Sequence, residues 1–449
     1  MTKKLIKISI AFVLVLMLIL TSLIPAGAIS YTNDVKTKTD SILLVNMDTD
    51  QVVFEKEADT KRYPASLTKI MTYIIVIDNI EDYENTRIQI TEEMLKSINE
   101  SGSSTYTFDN HIGDKMTVLD LLYAMMVPSG NDAAIILADY VSGGDLKKFV
   151  QMMNDKAKEL GCENTNFTNV EGVHDANHYT TARDLYKITT HALTKPKFAE
   201  ISNTATHYLE GDDYPLVTTN YMIDQYRGGE YYYTYAKGIK TGTTDEAGHC
   251  LVTTASADGY SYMAVMLHSP VKEKDDVHDT MLDAANLFRW SLVDLELVEI
   301  KTANTPICEM PVRLAWGKDS INLTPQKNIS AIMPGDYSKS YLTIETDLPE
   351  SIDAPIKEGD VVGTMNVYYK DDKMTEKQYL TTTNLVASES VDRSGFLFVI
   401  DIIKNIIFSI WFLLALVIIA ILFGVYFVLT GVYNKKNKKK KKVKKYRNL

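Results

Sequence analysis

Cysteine is scarce: Cys162, Cys250 and Cys308 are the only three in 449 residues, widely spaced and without a CxxC pair. That excludes a disulfide-built scaffold and removes the usual spacing signal for structural zinc or dithiol chemistry. The three read as mostly buried thiols. One disulfide stays open as an alternative, and the odd count leaves at least one thiol unpaired within a monomer. There is no internal repeat, and the only low-complexity stretch is a C-terminal lysine run. Positive charge is also lacking in the body of the chain. The net charge of -11 becomes -24 once three N-terminal lysines and ten C-terminal basic residues are set aside. So acidic a body is a poor match for phosphate, and nucleic acid is excluded as a partner.

Long apolar runs occur only near the ends. Lys3, Lys4 and Lys7 precede an uncharged run from Ile8 to Ile24, and Pro25-Ala26-Gly27-Ala28 supplies the helix break and small residues of a cleavage site. Residues 1–28 therefore read as a secretory signal peptide, with an uncleaved anchor as the alternative. Ile406 to Val432 holds no charged residue in 27 positions, enough helix to cross a bilayer with some tilt. Lys435, Lys436, Lys438 to Lys442, Lys444, Lys445 and Arg447 follow. The positive-inside rule puts such a tail in the cytoplasm, where it orients the anchor and meets anionic lipid. The expected placement is a cell membrane protein with a single pass and an extracytoplasmic body.

Between these ends the texture changes near residue 298. Helical patterns alternate with short strands before it. Afterwards, segments such as Tyr341 to Ile344 and Val361 to Tyr369 are β-rich and broken by Pro349, Pro355, Gly359 and Gly363. The expected domains are 29–297, α/β and catalytic; 298–391, small and all-β; 392–404, a charge-broken joint; 405–433, a transmembrane helix; and 434–449, a lysine-rich tail.

Three short motifs carry chemistry. Pro64-Ala65-Ser66-Leu67-Thr68-Lys69 opens a segment, Leu67 to Ile77, apolar nearly all round and so expected to be a buried helix with Ser66 in its first turn. Three residues apart on a helix, Ser66 and Lys69 share a face, and a neutral buried amine can accept the serine proton. Alone the pattern is weak, since Ser-x-x-Lys arises by chance about once or twice in a chain this long, and a capping serine beside a solvated lysine explains it as well. Next, Ser129-Gly130-Asn131 follows the amphipathic run Val118 to Met126 and Pro128. It reads as ordinary turn chemistry, or as a hydroxyl relaying a proton beside an amide holding a substrate carbonyl. Finally, Lys240-Thr241-Gly242-Thr243 ends a strand-like Tyr231 to Ile239. Strands Cys250 to Ser256 and Tyr260 to Leu267 follow, joined by Asp258-Gly259. A cation with two hydroxyls on a strand suits an anionic substrate terminus, and Gly242 permits close approach.

In that order, with a helix, a turn and a strand beneath them, the three motifs match the signature of penicillin-recognising serine enzymes. The chain most resembles the D-alanyl-D-alanine carboxypeptidases, the low-molecular-mass penicillin-binding proteins. The stretches YPASLTKIMT (from Tyr63), SGNDAA (from Ser129), NTNFTNVEGVHDANHYTTAR (from Asn164) and GIKTGTTDEAGHCLV (from Gly238) carry the likeness. LPESIDAPIKEGDVVGTMNVYY (from Leu348) extends it into the family's C-terminal β domain, so that most of 40–390 is covered. Family members commonly end in an amphipathic anchor; a full span with a lysine tail departs from that.

The resemblance implies a β-lactamase/transpeptidase-like catalytic domain of antiparallel sheet and helices, followed by the all-β domain. It implies Ser66 as nucleophile, Lys69 as general base, and Ser129 relaying the proton with Lys240 to the leaving amine. Asn131 would hold the substrate backbone, and Lys240, Thr241, Gly242 and Thr243 would line the carboxylate site, with the N–H groups of Ser66 and Thr243 as the oxyanion hole. Peptidoglycan stem peptides are the implied substrate and β-lactams the implied inhibitors, with no metal or organic cofactor. A serine β-lactamase shares the motif order but has Ser-Asp-Asn in the class most alike and relies on a deacylating Glu, for which no context is evident. A catalytically silent wall-binding relative is the other alternative. His174 and His178 stand four apart as in zinc peptidases, but Gly172, Asn177 and Thr180 around them read as loop, where backbone-bonded histidines are expected. Tyr231, Tyr232, Tyr233 and Tyr235 are expected to pack as strand, Arg183 to pair locally with Asp184, and His249 to need no catalytic role.

Overall fold

A computed structural model describes residues 31, 35–95, 108–271 and 277–446. The signal-peptide reading of 1–28 lies outside the described residues. The chain divides into two compact units. The larger takes the chain up to Ile300 together with Ser330–Glu345 and Asn366–Thr381; the smaller takes Lys301–Ile329, Thr346–Met365 and the chain from Thr382.

The larger unit is built on five antiparallel strands: β1 (Ser41–Asn46), β2 (Gln51–Lys56), β3 (Ala236–Thr244), β4 (Gly248–Ala257) and β5 (Tyr260–Ser269), in the order β2-β1-β5-β4-β3. In β4 and β5 successive side chains are buried rather than alternate ones. Strands enclosed on both faces have no use for polar alternation. The predicted Asp258-Gly259 turn joins them, with φ of 52° and 85°, both positive as a two-residue hairpin of this twist requires. Helix α6 (Asp279–Asp294) packs on β4 and β5, and α5 (Ala182–Leu193) on β1 and β5.

The remaining helices form the other wall of the site. Helix α1 (Lys69–Asn79) is buried continuously from Lys69 to Val76, as its all-round apolarity predicts. It starts later than expected. Ala65–Thr68 is a tight 3-10 turn, and Ser66 sits in that turn rather than in the α-helix. Ala65 has φ of 47°, which an α-helical turn cannot accommodate, so regular bonding begins only at Lys69. Helix α2 (Val118–Met126) is capped by Thr117, whose Oγ1 accepts from the Asp120 N–H at 3.0 Å. After Pro128, Ser129 takes φ of 70° and α3 (Asn131–Ser142) begins. Helix α4 (Leu146–Glu159) follows.

Two local expectations fail. The strand predicted from Tyr231 begins only at Ala236, because 221–235 folds back on itself: the Tyr233 N–H donates to the Met222 carbonyl at 3.0 Å and the Tyr221 and Tyr231 rings stack 6.0 Å apart. Arg183 does not pair with Asp184. Consecutive helical residues point about 100° apart, and Arg183 reaches Asp59 at 2.8 Å and Glu55 at 2.6 Å instead.

From Leu295 strands follow one another: β6 (Leu295–Lys301), β7 (Cys308–Arg313), β8 (Ser320–Pro325), β9 (Ile329–Pro334), β10 (Leu342–Asp347), β11 (Ile352–Asp353), β12 (Val361–Tyr369) and β13 (Gln378–Ala387). Within the smaller unit β7 pairs antiparallel with β8, β8 antiparallel with the end of β13, and β7 parallel with β11. Here burial alternates, as on a sheet with one covered face.

Residues 392–404, read as a charge-broken joint, are mostly helical. The Ser394 hydroxyl caps α7 (Gly395–Ile407), accepting from the Leu397 N–H at 3.3 Å. A short break leads into α8 (Ile410–Tyr446). Its segment Ile410–Lys436 has a mean hydropathy of 3.1 and none of its apolar window is covered by protein, which fits a membrane anchor. All three cysteines are free thiols, and burial pushes those of Cys162 and Cys250 up to about 12.

Candidate active site

The site begins with the turn Ala65–Thr68, wedged between the edge strand β3 and the loop Asn169–Gly172. Both neighbours come so close that only glycine fits. A Cβ on Gly242 would lie 2.9 Å from the Pro64 carbonyl oxygen and 3.0 Å from the Ser66 nitrogen. On Gly172, where φ is 97°, it would lie 1.9 Å from the Ala65 oxygen. The serine turn is therefore held from two sides by main chain, which is stiffer than side-chain packing.

Ser66 and Lys69 meet as the spacing predicts, with Nζ 2.9 Å from Oγ. Lys69 is fully buried. Its Nζ also donates to Asn131 Oδ1 at 2.6 Å and to the Glu171 carbonyl oxygen at 2.8 Å. Burial drives its pKa down to about 7, opposed by the carboxylates of Glu171 and Asp132. A neutral amine has two hydrogens and one lone pair. The amide and carbonyl oxygens accept the two hydrogens, and of its three partners only the Ser66 hydroxyl has a proton to give, so the lone pair faces Ser66.

Asn131 opens α3, and Ser129, two residues earlier, is buried on the same left-handed turn. Gly130 between them has no room for a side chain, since its Cβ would lie 2.8 Å from the Ala124 oxygen. Asp132 is buried beside them, accepting from the Phe108 N–H at 3.1 Å, and burial raises its pKa to about 6.

The third motif lies on β3, whose outer edge faces the serine turn. Lys240 is buried and donates to the Thr241 carbonyl oxygen at 3.0 Å. Burial, reinforced by the charge of Lys69, pushes its pKa well below the ordinary lysine range. Thr241 Oγ1 meets Thr219 Oγ1 at 2.5 Å, and Thr243 Oγ1 meets His249 Nδ1 at 3.2 Å across the β3–β4 pair. Set aside in the sequence reading, His249 thus touches a motif residue.

His174 and His178 do not form a metal pair. His178 is buried, with Nδ1 accepting from the Thr168 N–H at 3.2 Å. That fixes Nε2 as the protonated nitrogen, donating to Thr68 Oγ1 at 2.8 Å, and Thr68 in turn donates to the Ala65 carbonyl at 2.8 Å. Burial lowers the His178 pKa to about 4. His174 packs edge-on against Tyr63 at 4.6 Å.

Sequence reasoning missed Glu171, Gly172, Asp132, Thr219 and His249. All but Thr219 lie inside stretches quoted for their family likeness, but which of their side chains or main-chain groups reach the site depends on contacts between distant segments that no local pattern reports.

Comparison with known proteins gives the chain a family. Residues 28–270 match the D-alanyl-D-alanine carboxypeptidase family of serine peptidases, and 296–393 match the C-terminal domain of penicillin-binding protein 5. The D-alanyl-D-alanine carboxypeptidase DacF of Bacillus subtilis is 29% identical over 370 residues, 82% of this chain and 89% of that protein. A D-alanyl-D-alanine carboxypeptidase of a Streptomyces species is 31% identical over 277 residues, 57% of this chain and 91% of its own. The crystal structure of the carboxypeptidase DacD from Francisella tularensis superposes with a TM-score of 0.63 at 25% identity, covering 83% of this chain and 98% of that one.

Proposed function

The chain belongs to the D-alanyl-D-alanine carboxypeptidase family of serine peptidases, and on that premise we propose how it works: through an acyl-enzyme on Ser66, made and broken with Lys69 as the proton carrier. It is a serine-type D-Ala-D-Ala carboxypeptidase with the penicillin-binding protein fold, followed by an all-β domain. The family acts on peptidoglycan peptides and binds β-lactams.

The observation that supports the mechanism best is the Lys69 amine, buried, 2.9 Å from Ser66 Oγ and with its own hydrogens committed to Asn131 and Glu171. As Oγ attacks the carbonyl carbon between the two terminal D-alanines, its proton passes to Nζ. The N–H groups of Ser66 and Thr243 bind the developing oxyanion; loss of such a donor typically costs about 3 kcal/mol of barrier. The C–N bond breaks as the proton on Lys69 passes through Ser129 and Lys240 to the leaving amine, which leaves Lys69 neutral again, and D-alanine departs. A water molecule then attacks the ester, giving its proton back through Lys69, and the C–Oγ bond breaks to free the shortened peptide. Asn131 holds the substrate backbone. Lys240, Thr241 and Thr243 receive the terminal carboxylate, whose charge restores the ammonium that burial alone disfavours, and Gly242 leaves room for it.

We further read α8 as a single membrane pass that holds the catalytic unit outside the cell, with the lysine-rich tail in the cytoplasm. The 27 residues Ile410–Lys436 and the basic residues beyond them support that orientation.

The test is an intact-mass time course of the full chain in detergent with benzylpenicillin, with Ser66→Ala alongside, followed by assay of D-alanine release from a D-Ala-D-Ala peptide. A persistent one-drug adduct absent from the variant is expected. Rapid clearance of the adduct would make β-lactam hydrolysis the better reading, and no adduct at all would overturn the Ser66 mechanism.

A further inference from the structure

The loop Asn169–Gly172 is fastened to one face of α1. Lys69 donates to the Glu171 carbonyl at 2.8 Å, and Thr72, one turn on, donates to the Val170 carbonyl at 2.6 Å. Asn169 closes the loop on itself, its Oδ1 accepting from the Gly172 N–H at 2.7 Å and its Nδ2 donating to the Val173 carbonyl at 2.8 Å. Gly172 presses against the nucleophile turn. The Glu171 side chain turns back so that Oε2 accepts from the Val170 N–H at 3.0 Å. The Glu171 carbonyl thus bonds Lys69 directly, and its carboxylate acts on Lys69 through its charge.

From this geometry we propose that Glu171 is an electrostatic positioning residue for the reaction, its carboxylate acting as counter-ion to the Lys69 ammonium that forms when Ser66 gives up its proton. The proton leaves Oγ as the Oγ–C bond forms and arrives on Nζ, creating a cation inside the protein. Such a cation is costly unless an anion is near and fixed. Burial raises the pKa of Glu171 on balance, and the charge of Lys69 opposes that rise. The other charged groups facing Lys69 are Asp132 on α3 and Lys240 on β3. On its far side Glu171 lines a cavity of about 240 Å³ with Lys147 and apolar residues of α3 and α4. Of the two carboxylates near Lys69, only that of Glu171 belongs to the residue whose carbonyl takes a Lys69 proton.

The inference rests on the Ser66–Lys69 reading and predicts an effect in two directions. Without the carboxylate the ammonium is less favoured, so Lys69 stays neutral to lower pH but is a weaker base. The experiment measures the second-order rate of acylation by a fluorescent penicillin from pH 5 to 9, on the full chain in detergent. Wild type is compared with Glu171→Gln and Glu171→Asp. For Glu171→Gln the midpoint of the acidic limb should fall by about one pH unit, a tenfold change in the proton equilibrium, while the plateau rate falls; Glu171→Asp should stay near the wild-type midpoint. An unmoved midpoint in Glu171→Gln overturns the proposal, whether the plateau is unchanged or is lost uniformly with a lower Tm, because a merely structural role does not move the limb. If wild type itself forms no adduct, the Ser66 reading fails first, and the two failures are thereby told apart.

Discussion

Four lysines divide this molecule in two. Lys69 and Lys240 lie in the cleft, fully enclosed, their pKa values driven down by burial. Lys318 and Lys377 lie in the β-rich region and pair with Glu389 and Glu345, each partner about two-fifths to one-half exposed. The same ammonium loses its charge readily in one place and is a solvated surface charge in the other. What differs is access to water, which sets both how readily the charge is lost and how much a neighbouring charge matters.

The sharpest way to break this comparison is to remove a cleft lysine. Lys69→Ala should slow penicillin acylation by about 10²–10⁴-fold, the usual worth of a positioned base, whereas wild-type acylation should itself decline tenfold per unit as pH falls below about 7, where Lys69 becomes protonated. A pH-independent rate between 5 and 8 would place Lys69 among the surface lysines after all. Gly172→Ala tests the main-chain clamp on the serine turn. With its Cβ 1.9 Å from the Ala65 oxygen, either the loop or the turn must move, and acylation should drop by about 100-fold, as expected for a misplacement near 1 Å.

A subtler difference lies in stability. His178 is held neutral, its folded-state pKa lowered to about 4 from 6.5. The unfolded chain binds the proton first as pH falls, so His178 contributes stability that is complete above pH 6.5 and is lost on the way down to about 4. That loss should reach roughly 2–3 kcal/mol. Urea unfolding at pH 7 and pH 4.5 should show a smaller drop for His178→Gln than for wild type, and equal drops would refute the assignment. The smallest effect is expected on the surface side. Lys377→Ala should change the unfolding free energy by less than about 1 kcal/mol and leave penicillin acylation within error of wild type.

Much of the architecture was legible beforehand for identifiable reasons. Val118 to Met126 appeared as the helix it is because its apolar spacing is local. The hairpin at Asp258-Gly259 announced itself through residues suited to positive φ. Ile410–Lys436 could not be hidden at that hydropathy. Errors gathered where long-range contacts override propensity. Five tyrosine-rich residues with strand propensity, Tyr231 to Tyr235, form turns because their partners are Tyr221 and Met222.

In the site, the amino-acid order by itself determined that Ser66 and Lys69 meet at close range along the chain. Spacing of three on a helical turn brings such side chains together. Only the tertiary structure decided that Asn131 and the Glu171 carbonyl absorb the two hydrogens of Lys69, that Gly172 and Gly242 pin the serine turn, and that Glu171 and Asp132 stand as the nearby anions. The two Lys69 hydrogen bonds alone join residues 62 and 102 positions apart. They depend on burial and loop path, quantities that exist only once distant segments have closed over one another and excluded water.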